Sequence, residues 1–377
     1  MPQPWPLLLL VRELDLGGCE RDLSKVALGL DRSRFDPHVG CFHPEGFRGE
    51  ELRAAGVPVV QLPVRSFRSW SVLAGARRLA EYVARHGIRL VHSFDTPMNI
   101  FGVPVARLCR VPVVVSSQLS YRHLAKPASR RALRVTDHLA DCVVVNCEAM
   151  RRHLMEDEKV PGHRIYLCYN GVDTRLFHPA PGARTPALAG ASLVLGVVCA
   201  LRPEKRLDLL VEAFARVRHL QPGMKLGVVG SGDELPALQA LAQRLGLAGD
   251  VVFQPATRDV AAWLQAMDIF VLPSSSEAFS NALLEGMACG CCPVGSRVGG
   301  TPELIADGER GLLFEPGSAP DLAAKLALLI TRSDLRQGFA AAAALFAREN
   351  LSLERNLRRM EHLYAALLEG AGVRNAG

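Results

Sequence analysis

The chain has 377 residues, of which 49% are apolar and 22% are charged. This composition is typical of globular proteins and excludes a disordered or fibrous one, and the length suits two domains that each bury a core. The net charge of +6 is uneven: residues 1–180 hold 25 Lys and Arg against 18 Asp and Glu (+7), and the other 197 residues hold 19 against 20 (−1).

The first apolar run, Leu7 to Val11, is only five residues long and follows no basic residue. It predicts a buried strand, not a signal peptide, and no later stretch reaches the roughly 18 apolar residues of a transmembrane helix. We therefore expect a soluble, cytoplasmic protein that is at most peripheral at the inner face of a membrane. The ten cysteines form no CxxC pair and no spaced His/Cys set, which predicts reduced, mostly buried thiols.

Short apolar runs alternate with helix-length amphipathic segments along the chain, which predicts parallel sheets with helices on both faces. We expect two doubly wound Rossmann-like α/β domains, residues 1–180 and 193–348, that face a central cleft. A Pro/Gly/Ala-rich linker, residues 181–192, joins them, and a C-terminal helix in residues 349–377 packs back on the first domain. The predicted strands are Leu7–Val11, His38–Phe42, Val57–Leu62, Leu90–Ser93, Val113–Ser116, Cys142–Asn146, Ile165–Cys168, Leu193–Cys199, Lys225–Val229, Val251–Gln254, Ile269–Pro273, Cys292–Gly295 and Leu312–Phe314.

Two loops of the first half follow predicted strands and are therefore candidates for the cleft, because ligands of open parallel sheets bind at the carboxyl ends of the strands. In "LDLGGCERDLSKVALGL", Gly17 and Gly18 predict a tight turn before a helix that begins near Glu20. In "SSQLSYRHL", His123 follows the strand that ends at Ser116. A single histidine on a loop is more often incidental than catalytic, so both interpretations of His123 stay open.

The segment from Arg65 to Arg89 is strongly basic, with six arginines, a single acidic residue and three aromatic residues that include Trp70. Residues 107–134 add a second basic cluster. Arginines beside aromatic residues suit an anionic membrane surface or a phosphate-bearing acceptor. The alternative is a solvated helix face with Trp70 packed beneath it. Nucleic acid is not an expected partner, because no recognised nucleic-acid motif accompanies the charge.

In the second half, "LRPEKRLDLLVEAF" runs from a strand into a helix and places Arg202 and Lys205 on the turn between them. A guanidinium and an ammonium beside a helix N-terminus favour a diphosphate, although a solvated basic turn has the same pattern. In the next loop, "VGSGDELPAL", Gly230 and its neighbours are small enough for a ligand to approach the backbone. A lone GxG is weak support for a site.

The stretch "PSSSEAFSNALLEGMACGCCPVGS" holds two glutamates, Glu277 on a loop and Glu285 in the second turn of a predicted helix. Ser280 is a good N-cap for that helix, so the amides of Phe279, Ser280 and Asn281 are expected to be open to a ligand. The carboxylates would accept hydrogen bonds from hydroxyls at two ends of a ligand such as a nucleotide sugar. The alternative makes Glu285 a surface residue and Glu277 a turn residue.

Taken together, these stretches resemble the retaining nucleotide-sugar glycosyltransferases of family 4, which have the two-domain GT-B fold. The resemblance covers essentially the whole chain and is most specific in "YNGVDTRLFHP", "LRPEKRLDLLVEAF", "SEAFSNALLEGMACGCCPV" and "VGGTPELI".

The resemblance implies that residues 193–348 bind a nucleotide-sugar donor, with a UDP-sugar favoured, and that residues 1–180 form the acceptor side. Arg202 and Lys205 would stabilise the leaving diphosphate, and Glu285 would hold the ribose hydroxyls. Glu277 and the amides from Phe279 to Asn281 would hold the donor sugar. Gly17 and Gly18 would close over the diphosphate, and His123 occupies a loop that presents a catalytic histidine in several relatives.

The implied reaction transfers a sugar, with retained anomeric configuration, to a hydroxyl of a saccharide or lipid-linked acceptor in polysaccharide, lipopolysaccharide or glycolipid synthesis. No metal or other cofactor is expected, and the chain has no Asp-x-Asp triplet. Two alternatives remain open: a GT-B nucleotide-sugar epimerase, and a non-catalytic homologue that only binds a nucleotide sugar.

Overall fold

The computed structural model describes residues 3–180, 182 and 184–375. The chain divides into two compact units, Met1–Asn170 with Glu354–Gly377 and Gly171–Leu353. Residues 181 and 183 of the predicted linker lie outside the described residues. From Arg184 onward the segment packs on the second unit, because the Arg184 guanidinium donates to the Ala266 carbonyl and to Asp268, both at 2.9 Å.

The first unit is built on a parallel sheet that is buried on both faces. Its strands are β1 (Trp5–Leu10), β2 (Phe35–Cys41), β3 (Val59–Gln61), β4 (Leu90–Ser93), β5 (Val113–Gln118), β6 (Cys142–Val145) and β7 (Ile165–Leu167). Its helices before residue 170 are α1 (Gly18–Gly29), α2 (Phe47–Ala54), α3 (Ser71–His86), α4 (Thr96–Leu108), α5 (Pro127–Leu139) and α6 (Glu148–Glu156).

Alternate residues of β1 face opposite layers of helices. Leu7 and Leu9 pack in the cluster that contains residues of α1, and Leu8 and Leu10 pack in the cluster that contains residues of α3 and α4. Burial on both faces explains why β1 is a continuous apolar run. The strand order is β3-β2-β1-β4-β5-β6-β7, so successive connections change direction between β1 and β4. This is the switch point at which open sheets leave a crevice.

The second unit repeats the plan with a six-stranded parallel sheet in the order β10-β9-β8-β11-β12-β13, and its switch point lies between β8 and β11. Its strands are β8 (Val194–Val198), β9 (Lys225–Val229), β10 (Val251–Gln254), β11 (Ile269–Leu272), β12 (Cys292–Ser296) and β13 (Leu312–Phe314). Its helices are α7 (Leu207–Val217), α8 (Leu235–Arg244), α9 (Val260–Gln265), α10 (Asn281–Ala288), α11 (Thr301–Ile305), α12 (Ala319–Thr331) and α13 (Ser333–Asn350).

The last helix, α14 (Leu353–Asn375), packs on the first unit through Met360, Leu363 and Leu368. Its Tyr364 hydroxyl lies 2.6 Å from Nδ1 of His92 on β4, whose Nε2 lies 2.8 Å from the Ser117 hydroxyl. Burial lowers the pKa of His92 to about 3. The imidazole is therefore neutral at pH 7, and this buried polar chain joins α14 to two strands of the sheet.

All thirteen predicted strands are confirmed, with bounds that differ by at most three residues. The helix expected near Glu20 begins two residues earlier, at Gly18, because Gly17 is already its N-cap. The ten cysteines are free, and each is buried or partly buried. Among the described residues, no helix is both long enough and apolar enough to cross a membrane.

Candidate active site

The best-defined group of predicted site residues lies at the switch point of the second unit. Lys205 follows β8 and Glu277 follows β11, and these two strands are neighbours whose outgoing connections diverge. The Lys205 ammonium donates to Oε2 of Glu277 at 2.6 Å. Their side chains are 20% and 13% exposed, so the ion pair is largely but not completely removed from solvent.

The pair keeps Lys205 charged. Burial alone lowers the pKa of Lys205, but the charge of Glu277 and its hydrogen bond outweigh that effect, and the net pKa is raised. The Ser274 hydroxyl donates to the same oxygen of Glu277 at 3.3 Å. A charged lysine has three N–H donors, so Lys205 keeps donors beyond the one that it gives to Glu277. These donors suit a phosphate group.

The loops that present the pair are fastened to each other. The Ser275 amide and hydroxyl donate to the Glu204 carbonyl at 2.8 and 3.1 Å, and the Ser296 hydroxyl donates to the Ser274 carbonyl. The Gly300 amide donates to the Ala278 carbonyl at 2.8 Å. Because the carbonyls of Glu204, Ser274 and Ala278 are held by these hydrogen bonds, the backbone on which Lys205 and Glu277 lie is fixed in position. Arg202 is exposed on the same connection, at the cap of a short 3₁₀ turn that precedes α7.

Helix α10 begins next to Glu277. The predicted N-cap is confirmed, because the Ser280 hydroxyl accepts from the Leu283 amide at 3.2 Å. Phe279 and Ser280 are buried, and Asn281 is partly exposed. Glu285, in the second turn of α10, is only 1% exposed, so the interpretation of Glu285 as a surface residue is wrong. Burial, with a smaller contribution from the charge of Glu285, raises the pKa of Cys289 to about 12.

Residue 230 has to be glycine for a structural reason, whether or not a ligand approaches its loop. At its φ of +149°, a Cβ atom would lie 1.8 Å from the carbonyl oxygen of Cys199. The connection that leads to Lys205 therefore passes directly over Gly230, and any other residue would displace it. The prediction that Gly230 lets a ligand approach stays a prediction.

In the first unit, Gly17 and Gly18 lie at the switch point between β1 and β4, where Gly17 caps α1. A Cβ atom at Gly17 would lie 2.0 Å from a carboxylate oxygen of Glu20, whereas one at Gly18 would meet nothing within 4 Å. Burial raises the pKa of Glu20 to about 7 and that of Asp95, the N-cap of α4, to about 6. The sequence pattern singles out neither carboxylate, since their burial depends on the pairing of β1 with β4.

His123 follows β5 as predicted and is exposed, with its ring stacked 5.4 Å from that of Tyr121. The preceding residue, Arg122, is fully buried, and its guanidinium donates to both carboxylate oxygens of Asp137 at 2.7 and 2.8 Å. The basic cluster of residues 107–134 is therefore not one continuous surface. Arg122 fixes the loop that presents His123, a role that only tertiary structure reveals.

The basic segment from Arg65 to Arg89 contains α3. The interpretation that Trp70 packs beneath this helix is wrong, because Trp70 is 85% exposed. The buried face of α3 is formed instead by Gly75, Leu79, Tyr82 and Val83.

Family models of known proteins match both units of the chain. A family model described as Glycosyltransferase Family 4 matches residues 16–176, and one described as Glycosyl transferases group 1 matches residues 185–346. The chain belongs to glycosyltransferase family 4. A D-inositol 3-phosphate glycosyltransferase of Arthrobacter sp. is 30% identical over 74% of this family 4 chain and 70% of its own length. A protein of the same name from Mycobacteroides abscessus is 34% identical over 64% of this chain, and the match spans 56% of that relative's length.

Solved structures support the same fold for this family 4 chain. Anabaena Alr3699/HepE, crystallised in complex with UDP and glucose, matches with a TM-score of 0.85 at 22% identity, covering 96% of this chain and all of the other. WaaG, a glycosyltransferase involved in lipopolysaccharide biosynthesis, matches with a TM-score of 0.75 at 18% identity, covering 93% of this chain and 98% of its own. Two Rossmann-like units and these likenesses show the GT-B fold that the sequence predicted.

Proposed function

We propose that this chain is a retaining glycosyltransferase that moves a sugar from a nucleotide-diphosphate sugar, with a UDP-sugar favoured, to a hydroxyl of a saccharide or lipid-linked acceptor. The observation that carries the proposal is the Lys205–Glu277 ion pair at the switch point of the second unit. Family membership supports it, and so do relatives named as glycosyltransferases and a structural neighbour crystallised with UDP and glucose.

Lys205 and Arg202 would stabilise the negative charge that develops on the diphosphate as the bond to the anomeric carbon breaks. Glu277 has two tasks in this scheme. Its Oε2 atom holds Lys205, and its other oxygen would accept a hydroxyl of the donor sugar. The amides at the start of α10 would bind a sugar or phosphate oxygen, because the N-terminus of a helix carries a partial positive charge that favours anionic and electron-rich groups.

Glu285 would accept the ribose hydroxyls of the donor, while Gly17, Gly18 and Gly230 would let the diphosphate approach the backbone. Glu285 is only 1% exposed and lies in the second turn of α10, which is the position at which the resemblance to family 4 places the carboxylate that holds the ribose. His123 would face the donor sugar as a second, weaker candidate for catalysis.

In the transfer step, the acceptor oxygen bonds to the anomeric carbon on the face from which the diphosphate departs, which retains the configuration. The acceptor proton passes to the departing phosphate oxygen, so no separate base is needed. We propose that the reaction requires no metal. A chelator should then leave turnover unchanged, and a requirement for a divalent cation would contradict this part of the scheme.

The proposal is tested by incubating the purified chain with a panel of nucleotide sugars and measuring released nucleotide, first alone and then with saccharide and lipid acceptors. Release that rises when an acceptor is added supports glycosyl transfer. An epimerase would change the sugar without an acceptor. Tight binding with no turnover for any donor would instead support a non-catalytic homologue.

A further inference from the structure

Three apolar side chains are exposed where the chain enters α3. Phe67 is 50% exposed, Trp70 is 85% exposed and Leu73 is 60% exposed. Trp70 is the N-cap of α3 and Leu73 lies in its first turn, so the two side chains are three residues apart on one side of the helix. Large apolar groups clustered on a surface mark a site of interaction with a partner or a membrane.

Positive charge surrounds these three residues. Arg65 and Arg68 are exposed on the entering loop, and Arg77 and Arg78 are exposed one to two turns into α3. The acidic residue of the segment, Glu81, lies 3.5 Å from Arg77 and offsets only one of these charges. We call residues 65–73 the tip. Its exposed apolar side chains are bordered by arginines, and this arrangement is complementary to a bilayer whose surface is anionic and whose interior is apolar.

Four backbone amides of the tip already donate hydrogen bonds within it. The Arg65 amide donates to the Ser71 hydroxyl at 3.0 Å, and the Arg68 and Ser69 amides donate to the hydroxyl and carbonyl of Ser66, both at 3.2 Å. The Leu73 amide donates to the Trp70 carbonyl at 3.0 Å. Paired amides can leave water at low cost, which is a requirement for entering the lipid interface.

The tip has a defined place in the first unit. It follows β3 and precedes α3, so it lies at the carboxyl edge of the sheet, as do Gly17 and Gly18 after β1 and His123 after β5. The Phe67 ring contacts the buried Phe42 ring edge-on, with centroids 6.2 Å apart, which attaches the tip to the core.

We propose that Phe67, Trp70 and Leu73 insert into an anionic lipid surface, with the arginines from Arg65 to Arg78 at the level of the headgroups. This inference deepens the proposed function, because it assigns the acceptor to the membrane: docking through this edge brings the acceptor-side loops to the bilayer. The acceptor is then a lipid-linked sugar or a glycolipid.

The test uses the full chain and vesicles, without nucleotide sugar, so that its outcome is independent of catalysis. Vesicles of equal parts phosphatidylglycerol and phosphatidylcholine should bind the protein, shift Trp70 fluorescence to shorter wavelength and bring it within reach of brominated lipid. Phosphatidylcholine vesicles should bind far more weakly. Trp263 is buried and Trp5 is only partly exposed, so the change reports mainly on Trp70.

Two variants locate the contact. Trp70→Ser should weaken vesicle binding at least about tenfold, and Arg65→Glu with Arg68→Glu at least about a hundredfold. The matched controls are Leu108→Ser, whose side chain is equally exposed but lies at the opposite edge of the sheet, and Arg348→Glu in the second unit. Both controls should bind vesicles like the wild type.

Equal binding to neutral and anionic vesicles, or unchanged binding by Trp70→Ser, would overturn the proposal. So would a Trp70→Ser variant that loses self-association but keeps vesicle binding, since the occupant would then be a second copy of the chain. Binding of a soluble phosphorylated saccharide as tight as that of vesicles would assign the arginines to the acceptor alone. Nucleotide release with a soluble acceptor is measured separately. It tests the proposed function whichever result the vesicle experiment gives.

Discussion

Replacing Lys205 by alanine removes the cation that is ion-paired to Glu277 at the switch point of the second unit. Two unit charges about 4 Å apart interact by about 4 kcal/mol at an effective dielectric constant of about 20. The Lys205 side chain is 20% exposed, so solvent reduces its effect on a developing phosphate charge. Loss of one such stabilising group in enzymes typically lowers turnover by about 10² to 10³. We expect Lys205→Ala to lower turnover by at least about 10².

The assay is nucleotide release at saturating donor, combined with thermal unfolding to show that the variant folds. Removing Lys205 also leaves Glu277 without its cation, so the free energy of unfolding should fall by about 1 to 3 kcal/mol. Lys225→Ala is the matched control, because Lys225 begins β9 at the opposite edge of the same sheet and should leave turnover unchanged. A folded Lys205→Ala variant that turns over like the wild type would refute the diphosphate role.

Four further outcomes are expected. Glu277→Gln removes the charge that raises the pKa of Lys205, so burial then lowers that pKa and the alkaline limb of the pH–rate profile moves to lower pH; an unmoved limb would show that Lys205 does not have to be charged. Gly18→Ala places its Cβ in open space, so the melting temperature should be unchanged or higher while KM for the donor rises; an unchanged KM would exclude a close approach of the diphosphate there. Tyr364→Phe leaves a buried imidazole nitrogen of His92 unpaired and should lower the free energy of unfolding by about 1 to 3 kcal/mol in urea titrations. The pKa of His92 is lowered to about 3, so the unfolded chain binds the extra proton and His92 should lower stability as pH drops from the ordinary histidine value toward 3. Because the raised pKa values of Glu20 and Asp95 act in the opposite direction over that range, the test compares the wild type with His92→Gln, and identical pH profiles of the unfolding free energy would contradict a neutral, buried His92.

The sheets could be predicted from sequence because their strands are buried on both faces, and burial produces the continuous apolar runs of β1 and β11. The N-cap at Ser280 could be predicted for a local reason, since a hydroxyl before an amphipathic run satisfies a free amide. Lys205 and Glu277 were predicted separately. Their direct ion pair could not be predicted, because it depends on β8 and β11 being neighbours in the sheet although 72 residues separate the two side chains.

The burial of individual side chains could not be predicted from the sequence pattern either. Arg122 belongs to a basic stretch and is fully buried against Asp137, whereas Trp70 belongs to an amphipathic helix and is almost fully exposed. In both cases the outcome depends on which face of the segment packs on the sheet. The resemblance to family 4 supplied the candidate roles of the site residues, and those roles remain predictions for experiment.

The central claim is that the ion pair of the second unit supports retaining transfer from a nucleotide sugar, and the most direct measurement follows both products of one reaction. With a donor of known configuration and an accepting lipid or saccharide, released nucleotide and glycosylated acceptor are quantified, and the anomeric coupling constant of the product is read by NMR. We predict one nucleotide released for each sugar transferred, with the configuration of the donor retained. Nucleotide release without transfer, or a product of inverted configuration, would contradict the account.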